Sequence, residues 1–124
     1  MARILVIDDS SFQRMTFKHL LLRMGHEPIL AENGGIGLLR AVKMNPAAIL
    51  LDLNMPIIDG FQLLEQLRKR DIDVPAAVIS ADDQEVNVRR CRELGAHEFI
   101  TKPVQATELA EAIERMLGGR RKVL

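Results

Sequence analysis

The stretch Ile4-Leu5-Val6-Ile7-Asp8-Asp9-Ser10-Ser11 decides how the rest of the chain is read. Its four apolar residues are too few for a helix and rich in β-branched side chains, which marks a buried strand. Two aspartates end the run, and two serines follow that can cap the free N–H groups of a helix. Three further short runs end on a polar residue in the same way. Ala48-Ile49-Leu50-Leu51 stops at Asp52, Ala76-Ala77-Val78-Ile79 at Ser80, and Glu98-Phe99-Ile100-Thr101 at Lys102. If these strands are parallel, their polar ends share one edge of one sheet.

Between the runs the apolar residues switch to helical spacing. Phe17, Leu20, Leu21 and Met24 form one stripe in a first helix that starts at Ser10 or Ser11 and ends at Gly25. Phe12, Met15 and Leu22 fall off that stripe and read as scattered exposed apolar residues. Glu27 to Ala31 is a second strand, and Asn33 caps a helix that carries Ile36, Leu39 and Ala41 towards Met44 before Asn45-Pro46. Asn54 to Gly60 reads as a loop in which Asp59-Gly60 signals a turn. Phe61, Leu64 and Leu67 begin a third helix running to about Arg70, and Pro75 precedes the fourth strand. A helix after Asp82-Asp83 ends at Gly95, and the last, soon after Pro103, carries Leu109, Ile113, Met116 and Leu117 on one face. Five strands alternating with five helices predict an α/β fold, a doubly wound five-stranded parallel sheet with helices on both faces. Its functional crevice belongs at the carboxyl ends of the strands.

The chain has 124 residues, the size of one domain, of which 48% are apolar. Residues 1–119 are assigned to that domain and 120–124, which include Arg120-Arg121-Lys122, to a short basic tail. Seventeen basic residues balance seventeen acidic ones, which gives no footprint for direct nucleic-acid binding or for an anionic membrane. Cys91 is the single cysteine, so no internal disulfide forms, and it reads as a small core residue. No apolar stretch approaches a membrane span or the core of a signal peptide, so a cytoplasmic protein without membrane insertion is expected.

Taken singly, each polar strand end has a structural role at hand: Asp8-Asp9 as a turn, Ser80 as a helix cap, Lys102-Pro103 as a solvated loop. Their shared placement points elsewhere. Three clustered carboxylates repel each other unless a cation or a proton offsets the charge. A hard divalent ion, Mg²⁺ or Mn²⁺, suits oxygen ligands. Asp52, at the end of the predicted central strand, is the candidate nucleophile, and Asp8 and Asp9 are candidate metal ligands. Attack of a carboxylate on phosphorus gives an aspartyl phosphate. Lys102 then supplies positive charge for the phosphoryl oxygens and Ser80 a hydroxyl donor.

The ordered set Ile7-Asp8-Asp9-Ser10, Leu51-Asp52-Leu53-Asn54-Met55-Pro56, Asp59-Gly60, Ser80-Ala81 and Thr101-Lys102-Pro103 resembles the receiver domains of two-component response regulators, the CheY-like branch of the flavodoxin-like folds. The resemblance covers essentially the whole chain. It implies that Asp52 accepts a phosphoryl group from a histidine kinase or a histidine phosphotransfer protein. It implies metal contacts from Asp9, Asp52 and the backbone carbonyl of Asn54, with Asp8 acting largely through water. Ser80, Ala81, Lys102 and Phe99 match the phosphoryl-binding and switch positions, and Asn54 and Asp82 match positions that tune the lifetime of the phosphoryl group. Phe99 lacks a hydroxyl, so its inward rotamer is expected before phosphorylation. The surface of the fourth helix, fifth strand and fifth helix is the expected partner face, on a monomer or a phosphorylation-dependent dimer. The protein is expected to be a self-modifying phosphoacceptor rather than a multi-substrate enzyme, and a stand-alone receiver or one from a longer regulator.

Three other readings compete. A hydrolase of the haloacid-dehalogenase type places its two acids two residues apart after the first strand, whereas Asp8 and Asp9 are adjacent. A flavodoxin-like cofactor carrier needs a phosphate cradle where Asp8-Asp9 present negative charge. A docking module that is never phosphorylated keeps the fold without the chemistry.

Overall fold

The computed structural model describes residues 1–118; the assigned tail at 120–124, with Gly119, lies outside them. The elements run β1(Arg3–Ile7), α1(Ser11–Arg23), β2(Glu27–Ala31), α2(Gly34–Met44), β3(Ala48–Asp52), α3(Gly60–Lys69), β4(Ala76–Ser80), α4(Glu85–Glu93), β5(Glu98–Thr101), α5(Ala106–Leu117). All strand pairings are parallel, in the order β2-β1-β3-β4-β5, so the winding reverses between β1 and β3.

The strands are apolar on both faces because both faces are covered. Ile4, Val6, Leu50, Ile79 and Ile100 pack with Phe17 and Leu21 of α1 and Leu109, Ile113 and Met116 of α5. Leu5, Ile7, Ile49, Leu51 and Val78 face the other way, onto Leu38 of α2, Leu63 and Leu67 of α3, and Cys91 of α4. Burial pushes the Cys91 thiol up to about 11, so it stays protonated as a core residue.

Helix starts follow local chemistry. Ser10 Oγ accepts from the Gln13 N–H at 3.2 Å, and Asn33 Oδ1 from the Ile36 N–H at 2.8 Å. Asp59 and Gln62 form a reciprocal capping box. Asp59-Gly60 is thus a helix start where the sequence predicts a turn. Gly60 is needed for close approach, since a Cβ there would lie 2.7 Å from Leu53 Cα.

Two apolar residues depart from expectation. Leu39 is 53% exposed, because Leu38 and Ala41, with Gly37 against Ile7, form the buried face of α2. Leu117 is exposed in the last turn of α5 while Met116 completes the core face. Phe12, Met15 and Leu22 are exposed as expected. Helix α4 is thinly anchored: Cys91 is its one fully buried residue, and its N-cap Gln84 makes no side-chain cap bond. Two arginines tie it to α3, with Arg90 stacked 4.0 Å over the Phe61 ring and Arg68 Nη2 donating to the Glu93 carbonyl at 2.7 Å.

Candidate functional site

Strand register brings the polar ends together. Ile7 pairs with Leu51, Asp52 with Ile79, and Ser80 with Thr101, so Asp8, Asp52, Ser80 and Lys102 lie within about a residue of one level. The Lys102 N–H donates to the Ser80 carbonyl at 3.0 Å, which fixes the last of these steps. Carboxylate oxygens of Asp8, Asp9 and Asp52 lie within 4.8 Å of one another. Asp8 and Asp52 are buried, 2% and 7% exposed, whereas Asp9 faces solvent.

Donors hold each buried carboxylate in place. The Ser10 N–H donates to Asp8 Oδ1 at 2.9 Å. Lys102 Nζ and the Asn54 N–H both reach Asp52 Oδ1, each at 3.4 Å. Burial raises the Asp8 carboxyl above its ordinary value; the Ser10 N–H opposes that, the Asp52 charge adds to it, the Lys102 ammonium opposes it and Asp9 adds to it. Burial likewise raises Asp52, against the Lys102 charge and the Asn54 N–H, with Asp9 adding to the rise. One ammonium therefore does not neutralise the cluster. Three convergent hard oxygens, two of them on Asp8 and Asp52 where burial disfavours the ionised form, fit a divalent cation such as Mg²⁺.

Ser80 is fully buried at the end of β4, and its Oγ accepts from the Asp82 N–H at 3.0 Å. Asp82 in turn accepts from Asn87 Nδ2 at 2.9 Å, at the start of α4. Ala81 is exposed beside Ser80. Phe99, three residues before Lys102, is half-buried against the core on the α2–α3–α4 face.

Three residues have a role that the sequence pattern alone does not assign. Arg14 Nη1 donates to the Asp8 carbonyl at 2.7 Å and braces the loop after β1. Arg115 makes a two-pronged ion pair with Glu98, which is 1% exposed, its Nη2 lying 2.8 Å from Oε1. Ile57, in the loop after Asp52, has a positive φ of 70°. An acid inside an otherwise apolar strand is a readable sign of the Glu98 pair; nothing in the sequence marks Arg14.

The fold and this pocket define a doubly wound α/β domain with an acidic cluster at the carboxyl ends of its strands, and comparison with known proteins makes the class specific. The response regulator receiver domain family matches residues 4–114, and the chain belongs to that family. It is 36% identical over 121 residues to the protein PilH of Pseudomonas aeruginosa, covering 96% of this chain and 100% of that one. It is 34% identical to the chemotaxis protein CheY of Bacillus subtilis, covering 93% and 97% respectively. The receiver domain of the Francisella response regulator 1452 superposes with a TM-score of 0.91 at 28% identity, covering 96% of this chain and 98% of that one.

Proposed function

We propose that this chain is a phosphorelay response regulator whose Asp52 accepts a phosphoryl group from the phosphohistidine of a histidine kinase or a histidine phosphotransfer protein. One observation carries the reading: Asp8, Asp9 and Asp52 converge within 4.8 Å while Lys102 Nζ stands 3.4 Å from the Asp52 carboxylate. In the transfer, the N–P bond of the donor breaks as a P–O bond to Asp52 forms. The electron pair stays on the imidazole nitrogen, which takes a proton from solvent. Transfer of this kind asks for positioning and charge neutralisation more than for covalent chemistry from the protein.

Asp8, Asp9, Asp52 and the Asn54 carbonyl would hold Mg²⁺ or Mn²⁺, which when bound would offset the charge of the carboxylates and of the phosphoryl oxygens. Lys102 stands ready to move its ammonium from Asp52 to the incoming group. Ser80 Oγ, while accepting from the Asp82 N–H, still has its own proton to donate to a phosphoryl oxygen. As that hydroxyl turns, the space it leaves holds the Phe99 ring in the inward position it already favours, and the surface of α4, β5 and α5 changes for a downstream protein. The thin anchoring of α4 supports its place in this switch. The protein promotes its own phosphorylation and dephosphorylation, works in the cytoplasm, and binds neither nucleic acid directly nor a bilayer. No helix among the described residues is long and apolar enough to cross a membrane. Residues 1–119 form the receiver, as a monomer or as a dimer formed on phosphorylation.

Incubation with Mg²⁺ and acetyl phosphate tests the reading by intact mass. One phosphoryl adduct is expected, and multiple turnover of assorted phosphomonoesters would instead favour a hydrolase. Ser80→Ala is expected to accept the label yet respond poorly in partner binding.

A further inference from the structure

We infer that Ile57 is a contact residue for the protein that delivers the phosphoryl group, an apolar anchor on the rim of the acidic pocket. The inference rests on the phosphoacceptor reading of Asp52 and adds to it a residue that selects the donor.

Ile57 stands at φ 70°, and the Ile58 N–H donates to the Pro56 carbonyl at 2.8 Å, closing a three-residue γ-turn around it. A β-branched side chain in this left-handed region crowds the backbone, and glycine or asparagine is the ordinary occupant. Burial offers no compensation, since Ile57 is 95% exposed. The turn does not depend on isoleucine either, because its neighbours fix it. Met55 is buried, and Ile58 packs on the core where Gly34 leaves room: a Cβ on Gly34 would lie 2.8 Å from Ile58 Cγ2. The Gly60 N–H donates to the Leu53 carbonyl at 2.8 Å and closes the loop from the other end. Asparagine at position 57 would keep the same turn with less strain. The isoleucine side chain therefore adds strain and contributes no packing to its own fold, and its use lies in contact with another molecule.

Position identifies that molecule. Ile57 follows Asp52 by five residues, on the loop that leaves β3 at the edge where Asp52 sits. Asp52 is 7% exposed, so a donor must bring its phosphohistidine down into the pocket and cover the surrounding loops while transfer occurs. The contact between Ile58 and Gly34 sets this loop beside α2, away from the α4–β5–α5 surface proposed for output. The occupant is thus the phosphohistidine-bearing domain, meeting Ile57 with an apolar patch next to its histidine. A second copy of this chain and the downstream target are the alternatives that the experiment separates.

The test compares full-length parent, Ile57→Asn and Ile57→Leu with three donors: acetyl phosphate, monophosphoimidazole, and the autophosphorylated histidine kinase of the same cell that labels the parent fastest. Ile57→Asn is expected to melt about 3 °C higher, through relief of strain. It should be labelled by both small donors within about twofold of the parent, yet accept from the kinase about tenfold more slowly below saturation, the factor that ~1.4 kcal/mol of lost contact produces. Ile57→Leu should recover most of the kinase rate. Equal kinase rates for parent and Ile57→Asn would overturn the inference, as would a change confined to self-association or target binding of the beryllofluoride-treated protein. Failure of acetyl phosphate to label the parent would overturn the phosphoacceptor reading first, and this inference with it.

Discussion

Asp52→Asn is expected to stabilise the metal-free protein while abolishing phosphorylation. At an effective dielectric of about 20, charges within 4.8 Å of one another repel by at least about 3.5 kcal/mol and charges 3.4 Å apart attract by about 5 kcal/mol. Asp52 meets two such repulsions, from Asp8 and Asp9, and one attraction, from Lys102. Asp9 is exposed, so solvent removes about half of its share and the repulsions total about 5 kcal/mol. They cancel the attraction. What remains is the burial of a charge that is 7% exposed, relieved in part by the Asn54 N–H. An uncharged amide of the same shape removes that cost, a net gain of about 1–2 kcal/mol, or about 5 °C in melting temperature for a domain of this size. The pH dependence has a definite sign. Burial holds the native Asp52 carboxyl above the ordinary value of 3.8, so the native chain binds this proton more tightly than the unfolded chain does. The advantage of Asp52→Asn is therefore complete above the native pKa and fades as pH falls through it. Calorimetry in EDTA across that range measures both features. Lower stability of Asp52→Asn than of the parent near neutral pH would mean that the Lys102 attraction dominates, and the electrostatic account of the pocket would fail.

Gly60→Ala places a Cβ 2.7 Å from the backbone of Leu53, so it should cost about 1–3 kcal/mol and slow acetyl phosphate labelling by displacing Asp52. A parental melting temperature would show that the loop yields freely. Arg115→Ala strands the buried Glu98 carboxylate and should cost about 3–5 kcal/mol in chemical denaturation, with Glu98→Gln combined with Arg115→Ala recovering part of the loss. Proton NMR of the Phe99 ring should find it mainly inward in the unmodified protein, and a ring mainly outward would contradict the switch as drawn. Mg²⁺ at about ten times its dissociation constant should stabilise the parent by ~1.4 kcal/mol, and Asp52→Asn by much less.

The sequence made the sheet legible because both faces are covered, leaving short continuous apolar runs that end on chemistry. Asp8, Asp9, Asp52, Ser80 and Lys102 were readable for the same reason: parallel register carries strand ends to one level. Helix faces were less legible where an apolar residue sits beside the true core position. Leu39 lies next to Leu38, and Leu117 next to Met116; a rotation of about 100° per residue separates inside from outside there. Asp59-Gly60 has the composition of a turn and became a capping box because Gln62 stands three residues on. The left-handed turn at Ile57 had no sequence sign at all, since isoleucine is among the last residues expected at positive φ.

Every step of the proposed function depends on an acyl phosphate at Asp52. Borohydride reduction of the Mg²⁺- and acetyl phosphate-treated protein, followed by peptide mass mapping, tests it most directly. The account predicts homoserine at position 52, present only when Mg²⁺ is supplied. Reduction at another carboxylate, or none in a protein that carries the phosphoryl mass, would contradict it.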